Sequence, residues 1–283
     1  MNAHLLGAVS QDDWLAVPSL RHKKSATSIA SEGSTWSAVM YPQLIQSLSP
    51  EERKRQEAIF EFIKTEQSYV RDLQVVMDVF IQPLTLGPHA ATILGPNHVA
   101  TGKQMFANWE EILITNVAFL SDLELRQEQD DGLVGAPGEV ILEHIGSMRC
   151  YMQFCTGQKQ ALTTLTQLLR DRLEFKDFIK QRQGDPRCRS LDLSSYLLKP
   201  VQRLTRYPLL IKQVLHYTPE VHSDHPALVQ CLSTAEKVLH EVNEGARTEE
   251  DNIKFAEIAA RVDLVVGQSV RFSSASAPFP WNI

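Results

Sequence analysis

The stretch that decides the fold is LLKPVQRLTRYPLLIK, residues 197–212. Its apolar residues recur every three or four positions, which predicts a helix with one face buried in a core. Lys199, Gln202, Arg203 and Arg206 recur at the same spacing, so they are expected to share the opposite, polar face. A polar helix face is most often simply solvated, and the alternative is a surface for a partner protein.

Two prolines, Pro200 and Pro208, lie inside this helical pattern. Each removes a backbone donor and is expected to bend the helix. A helix with two bends is an unusual choice for plain scaffolding, which favours the partner surface.

Helical periodicity extends outward from this stretch, and no useful strand-like alternation occurs before residue 262. Ser49, Pro50 and Glu52 form a start signal, because a capping serine precedes a proline and an acidic first turn. It predicts a long helix that ends near Pro83. Further helices are predicted at about residues 98–127, 139–156 with a continuation over 158–173, 175–183, 191–217 and 223–262. The fold class is therefore all-α, an elongated bundle of about six long helices.

The chain divides into three parts. Residues 1–48 are Ser-rich and are expected to be flexible, although the more apolar stretch 36–48 is expected to dock as a short helix. Residues 49–262 form the helical domain, and residues 263–283 read as a linker or tail. The first residues do not resemble a signal peptide, and no stretch approaches the roughly 18 apolar residues of a membrane span. A cytoplasmic location is predicted.

Composition and motifs exclude several kinds of chemistry. A net charge of −6 argues against a nucleic-acid binder. Phosphate-cradling loops and nucleophile elbows do not occur, and His222 and His225 have no third ligand nearby in sequence. The four cysteines read as ordinary thiols. We therefore expect no catalytic residue, no cofactor and no metal site.

Two further positions are unusual for a helix. Glu66 falls on the apolar stripe of the first long helix, where a carboxylate is costly unless it has a partner. Either an internal salt bridge or a partner protein would satisfy it. Asn243 and Gly245 are poor helix formers inside the last helix, which indicates a kink, a misjudged helix end or a functional site.

These three places together resemble the conserved regions of the Dbl-homology family of Rho-GTPase activators. TEQSYVRDL, residues 65–73, is similar to the first signature of the family. LLKPVQRLTRYPLLIK is similar to the third signature almost letter for letter. VNEGAR, residues 242–247, resembles the motif of the final helix. The resemblance covers about residues 50–262, and the third signature is its most specific part.

The resemblance implies a guanine-nucleotide exchange factor for a Rho-family small GTPase, with the Cdc-type branch favoured over Rac and Rho. Such a factor promotes GDP release by binding and remodelling switch I and switch II, without covalent chemistry of its own. The residues implied in GTPase binding are Glu66, Lys199, Gln202, Arg206 and Asn243, and those implied in GTPase selectivity are Leu191 and Leu198. A catalytically silent adaptor of the same fold is the alternative.

Family members usually carry a pleckstrin-homology domain directly after the last helix. Residues 263–283 do not match one, so peripheral recruitment to the plasma membrane through such a domain is only an expectation drawn from the resemblance. Residues 1–48 lie beside the first long helix in sequence, and a further expectation is that they cover Glu66 and inhibit exchange.

Overall fold

The structure, a computed structural model, describes residues 35–265, without the side chains of residues 250, 253 and 257–265. This part of the chain is all-α, as predicted, and contains no strand. Its helices are α1 (Trp36–Val39), α2 (Pro42–Ser47), α3 (Pro50–Val76), α4 (Gln82–Thr85), α5 (Ala90–Leu94), α6 (His98–Phe106), α7 (Trp109–Gln129), α8 (Pro137–Ile145), α9 (Tyr151–Asp171), α10 (Leu173–Gln183), α11 (Leu193–His216) and α12 (His225–Val265).

Helix α3 begins where the sequence predicts. The Ser49 hydroxyl accepts a hydrogen bond from the Glu52 backbone N–H at 3.1 Å, and Pro50 occupies the first turn. This arrangement satisfies a donor that has no partner within the helix. A π-helical turn, Met77–Ile81, then leads without a break into α4.

Two of the predicted helix boundaries are wrong. The helix predicted over residues 98–127 is divided between α6 and α7, because Ala107 adopts a positive φ of 47°. The break predicted after Thr156 lies instead at the 3-10 turn Gly146–Cys150, and α9 runs straight through Gly157. Position 107 is an alanine, which carries no helix-breaking signal in the sequence. The turn there therefore depends on tertiary contacts. One of these is the bond that the Trp109 indole donates to the Leu73 carbonyl at 3.1 Å.

The core is centred where α3, α7, α9 and α11 meet. Three aromatic rings from three helices, Phe62, Phe119 and Tyr207, contact one another with centroid separations of 6.0 to 6.3 Å. Edge-to-face and tilted ring pairs of this kind add to the stabilisation from burial. Helix α11 continues across Pro200 and Pro208, and both prolines are buried. The core therefore holds α11 helical in spite of two missing backbone donors.

The stretch before α3 docks on the bundle. It forms two short helices, and the side chain of Trp36 in α1 is buried. The Trp36 indole donates to the Gly132 carbonyl at 2.9 Å, and the Trp36 backbone N–H donates to the Glu57 carboxylate at 2.8 Å. Helix α1 is thus tied to α3 and to the loop after α7. The predictions for residues 1–34 and 266–283 concern segments that lie outside the described residues.

The described residues contain neither a membrane-spanning helix nor a cluster of metal ligands. Between residues 35 and 265 no helix is long and apolar enough to cross a membrane. The side chains described in the same range include no group of three or more His, Cys, Asp or Glu residues that could hold a metal ion.

Candidate protein-binding face

One side of α11 faces solvent along most of its length. Leu198, Gln202, Arg206 and Leu209 are exposed there, and Leu209 keeps 67% of its surface accessible. These positions are four, four and three residues apart, so they form one stripe on the helix. The spacing prediction for Gln202 and Arg206 agrees with this arrangement. A stripe that mixes exposed leucines with long polar side chains is typical of a surface that binds another protein.

Asn243 adjoins this stripe from α12. It is exposed and lines a cleft of about 180 Å³ between α9, α11 and α12, together with Val201 and Thr205 of α11. Helix α12 continues through Asn243 and Gly245, so a helix end does not explain these residues. Gly245 lies against the Met152 side chain of α9. That side chain fills the space where the Cβ atom of any other residue at position 245 would lie. The fold therefore brings Asn243 next to α11 across a long stretch of sequence.

Lys199 lies where α11 meets α3. Its ammonium is 2.8 Å from the Asp72 carboxylate and 5.8 Å from the centroid of the Tyr196 ring, and 26% of its side chain is exposed. Asp72 forms a second ion pair with Arg189. Lys199 is therefore held at the edge of the exposed stripe by a contact within the chain.

The two residues implied in selectivity differ in exposure. Leu198 belongs to the exposed stripe, whereas Leu191 is half-buried and packs against the core. Leu191 follows Arg189 and Ser190, which both adopt positive φ values, 50° and 62°. Two consecutive non-glycine residues in this region are unusual and mark a backbone held by its surroundings.

Glu66 does not lie on the surface, which corrects the direct partner contact expected for it. Its carboxylate is fully buried, with 0% exposure. The Arg203 guanidinium donates to it through Nε at 2.8 Å and through Nη2, and the Tyr207 hydroxyl lies 3.0 Å from Oε2. Arg203, predicted on the polar face of α11, is thus directed into the core, where its Nη1 donates to the Thr65 hydroxyl at 2.9 Å. The internal salt bridge is the reading that the geometry supports.

The buried pair belongs to a polar network that joins four helices. The Tyr207 hydroxyl also lies 2.8 Å from the Asn116 side-chain oxygen, and it can donate to that oxygen or to Glu66. The Asn116 amide donates to the Tyr151 hydroxyl at 2.8 Å, and Tyr151 is 2.9 Å from the Tyr69 hydroxyl. A buried network whose members are paired stabilises one arrangement of the helices that carry it.

Burial sets the direction of the pKa shifts of the carboxyl and phenol groups in this network. It raises the pKa of Glu66 above its ordinary value, while the Arg203 guanidinium and the hydrogen bonds from Arg203 and Tyr207 act in the opposite direction. Burial also raises the pKa values of Tyr69, Tyr151 and Tyr207 well above the ordinary range for a phenol. All three hydroxyls therefore stay protonated at neutral pH and remain hydrogen-bond donors.

An exposed carboxylate that the sequence interpretation missed lies on the same helix. Glu61 of α3 lines a groove of about 430 Å³ with Thr65 of α3 and Gln213 of α11. The signal was present in the helical period, since Glu66 falls on the stripe of Phe62 and Tyr69 whereas Glu61 falls outside it. Glu61 is therefore an acidic side chain of α3 that is exposed beside α11.

An all-α bundle that exposes a mixed polar and apolar stripe on α11, with Asn243 of α12 beside the same helix, has the kind of surface that protein-binding modules use. The model of the RhoGEF domain family matches residues 58–243, and the chain belongs to this family. The resemblance to Dbl-homology proteins is thereby confirmed.

Curated relatives agree with this assignment. Mouse intersectin-1 is 38% identical over 221 residues, which cover 77% of this chain and 12% of the relative. Human Rho guanine nucleotide exchange factor 26 is 32% identical over 218 residues, which cover 76% of this chain and 24% of the relative. The chain therefore spans from about an eighth to a quarter of the length of these relatives.

Solved structures share the fold. The DH/PH domains of p115-RhoGEF superpose with a TM-score of 0.76 at 28% identity, over 86% of this chain and 65% of that one. The DH/PH domains of PDZ-RhoGEF, solved in complex with activated RhoA, superpose with a TM-score of 0.70 at 24% identity, over 77% of this chain and 61% of that one. The second likeness concerns the fold alone.

Proposed function

We propose that the chain is a guanine-nucleotide exchange factor for a Rho-family small GTPase, and that the GTPase binds across α3, α11 and α12. Family membership supports the partner class. The observation that carries the proposal is the exposure of Gln202 and Arg206 on α11, with the exposed Asn243 of α12 beside Val201 and Thr205 of the same helix and Lys199 partly exposed at the contact with α3. Lys199, Gln202, Arg206 and Asn243 were each implied in GTPase binding by their motifs.

The proposed mechanism is differential binding. A surface that binds the nucleotide-free GTPase more tightly than the GDP-bound form must weaken GDP binding by the same factor, because the two equilibria are linked. No covalent step on this chain is needed. Lys199 and Asn243 would engage switch II, and Gln202 and Arg206 would contact the strands between the switches.

Glu61 takes the place of Glu66 in this proposal. A contact with switch I requires a carboxylate that the partner can reach. Glu66 could provide one only by leaving Arg203 buried without its counter-charge, which typically costs several kcal/mol, about 3–5. Glu61 is already exposed beside the Thr65 and Gln213 groove. Glu66 then supports the face from inside and does not touch the partner.

Within the Rho family we propose a Cdc-type GTPase as the preferred partner, with Rac and Rho behind it. Likeness to intersectin-1 and a leucine at position 191 support this order. Leu198, which is exposed on the stripe, is the second residue proposed to influence the choice.

Release of fluorescent GDP from a small panel of Rho-family GTPases tests the proposal. The unmodified chain is expected to accelerate release from at least one member, and fastest from the Cdc-type protein. Leu209→Ala is expected to slow release, whereas Ile114→Ala, an equally exposed apolar residue on α7, serves as the matched control. A folded chain that accelerates release from no member of the panel would contradict the proposal.

A silent adaptor of the same fold is the second candidate, and it predicts a different result. An adaptor would bind the GTPase without changing the rate of GDP release. The exposure of Asn243 and the partial exposure of Lys199 favour the exchange factor, because both residues are implied in exchange and a partner can reach them. Binding to nucleotide-free GTPase, measured beside the release rate, separates the two.

Location is the remaining part of the proposal. A cytoplasmic location, with recruitment to the plasma membrane through a pleckstrin-homology domain, stays a prediction. Imaging of the tagged full-length product, with and without such a domain, tests it.

A further inference from the structure

A nearly buried carboxylate at the edge of the protein-binding face carries a role that the motifs do not assign. Asp72 of α3 has 6% of its side chain exposed. It pairs with Lys199 of α11 at 2.8 Å and also with Arg189, from the loop that precedes α11. One negative charge thus faces two positive charges at a partly exposed place.

The register of the two helices explains why Asp72 lies there. Helices α3 and α11 pack side by side, and Glu66 meets Arg203 in the core. The two helices run in opposite directions along this contact. Asp72, which follows Glu66 in α3, therefore meets Lys199, which precedes Arg203 in α11. A carboxylate so far removed from water is costly unless cations satisfy it, so the two pairs also hold Asp72 in place.

The ion pair with Asp72 in turn restricts the conformation of the Lys199 side chain. A free lysine side chain samples many rotamers, and ordering it costs up to about 2 kcal/mol. The Asp72 carboxylate and the nearby Tyr196 ring fix the ammonium on one side, while part of the side chain remains exposed. An ammonium carries three donors, and only one is needed for Asp72. The other donors can serve a partner without a large ordering cost, which is the general advantage of preorganisation.

We propose that Asp72 is a positioning residue for Lys199. It holds the ammonium at the edge of the α11 stripe so that its remaining donors meet an oxygen acceptor, a carboxylate or a backbone carbonyl, on the GTPase. Lys199 keeps its bond to Asp72 in the complex and shares its charge between the two oxygens. This inference rests on the proposed exchange function and gives Asp72 a role that the first signature, residues 65–73, contains but does not assign.

A double-mutant cycle tests the inference. The variants are Asp72→Asn, Lys199→Met and the two combined, assayed by GDP release from the panel GTPase on which the unmodified chain is most active. Asp72→Asn is expected to lower the second-order rate about tenfold in the unmodified chain, but less than about twofold in the Lys199→Met background. Loss of the Asp72 effect when Lys199 is absent is the signature of one residue acting through the other.

An equal fold-change for Asp72→Asn in both backgrounds would overturn the inference, because a purely structural role does not depend on Lys199. Arg189→Gln is the matched control, since it removes the other cation of Asp72 and leaves Lys199 paired. It is expected to keep the rate within about threefold. A loss as large as that of Asp72→Asn would assign the effect to the Arg189 loop and would also overturn the inference.

A second variant guards against misfolding. Asp72→Glu keeps the charge but shifts its position by one methylene group, and the same cycle is run with it if Asp72→Asn does not unfold cooperatively. The fate of the proposed function is read separately from the unmodified chain. No activity on any GTPase would sink the proposed function, whereas an active chain with an additive cycle sinks only the role of Asp72.

Discussion

Two ion pairs join the same two helices, α3 and α11, and their surroundings are opposite. Glu66 and Arg203 lie in the core, where the guanidinium is 4.8 Å from the Tyr207 ring centroid and its partner carboxylate has no exposed surface. Asp72 and Lys199 lie at the edge of the bundle, and the lysine remains partly exposed. The same pairing of acid and base is therefore enclosed in one place and leaves a partly exposed charge in the other.

The two pairs differ in whether the cation can donate a hydrogen bond to a second acceptor on a partner. Arg203 is enclosed by the network that runs from Thr65 to Tyr207 and has no route to a partner. Lys199 keeps donors at the surface, so a partner can bind it without breaking its bond to Asp72. Removing one member of the inner pair should change stability, and removing Lys199 should change exchange.

The largest expected effect is on stability, from Glu66→Ala. The change leaves the Arg203 guanidinium buried without a counter-charge and should lower the free energy of unfolding by about 3–5 kcal/mol. Urea unfolding followed by circular dichroism measures it. Glu61→Ala, an exposed position on the same helix, is the matched control and should stay within about 0.5 kcal/mol. If the two variants lose the same stability, the core role given to Glu66 is wrong.

The next effect is on exchange, from Lys199→Met. We expect the second-order rate of GDP release to fall about thirtyfold or more, since a charge contact that becomes desolvated in the complex is lost. Stability should change by only about 1 kcal/mol, because Asp72 keeps Arg189 as a counter-charge and Lys199 itself is partly exposed. Stopped-flow release and urea unfolding give the two numbers. A large stability loss with unchanged exchange would reverse the contrast between the two pairs.

A smaller effect on exchange is expected from Glu61→Gln. The isosteric change removes the charge that α3 offers to the partner and should slow GDP release about tenfold without a change in unfolding. Glu128→Gln, an exposed glutamate on α7, should leave both quantities unchanged. Full activity of Glu61→Gln would mean that some other side chain makes the proposed α3 contact with the partner.

The smallest effect concerns the start of α11. The Asp192 carboxylate caps the helix by accepting from the Ser195 backbone N–H at 2.7 Å, and Asp192→Ala should cost about 1 kcal/mol of stability. Hydrogen bonds from Ser195 hold the pKa of Asp192 below its ordinary value. The contribution is therefore complete above the ordinary aspartate pKa of about 4, and is lost as the pH falls through the lower pKa of the folded state.

Unfolding at two pH values tests the sign of this prediction. The difference between the unmodified chain and Asp192→Ala should be largest at neutral pH and should shrink in acid. A difference that grows in acid would contradict the capping role. Asp192 is exposed to solvent, which is why its contribution stays small beside that of Glu66.

The helices themselves could largely be predicted, and two of their breaks could not. The start of α3 is determined by the local sequence, because Ser49 supplies the cap and Pro50 begins the first turn. The break at Ala107 has no local signal, since an alanine rarely adopts a positive φ and does so here under tertiary constraint. Gly157 carried a breaking signal that was misleading, because a single glycine inside α9 is tolerated.

The sequence by itself determined the class of fold, the family motifs and the common face of Gln202 and Arg206, because a period of 3.6 residues is a local property of the chain. Only the tertiary structure decided which charged residues near the border of that face point inward. Arg203 is one position from Gln202, yet it is buried because Glu66 of α3 lies opposite it. Periodicity places a side chain on a helix, whereas the packing of a second helix decides whether that side chain meets a partner or the core.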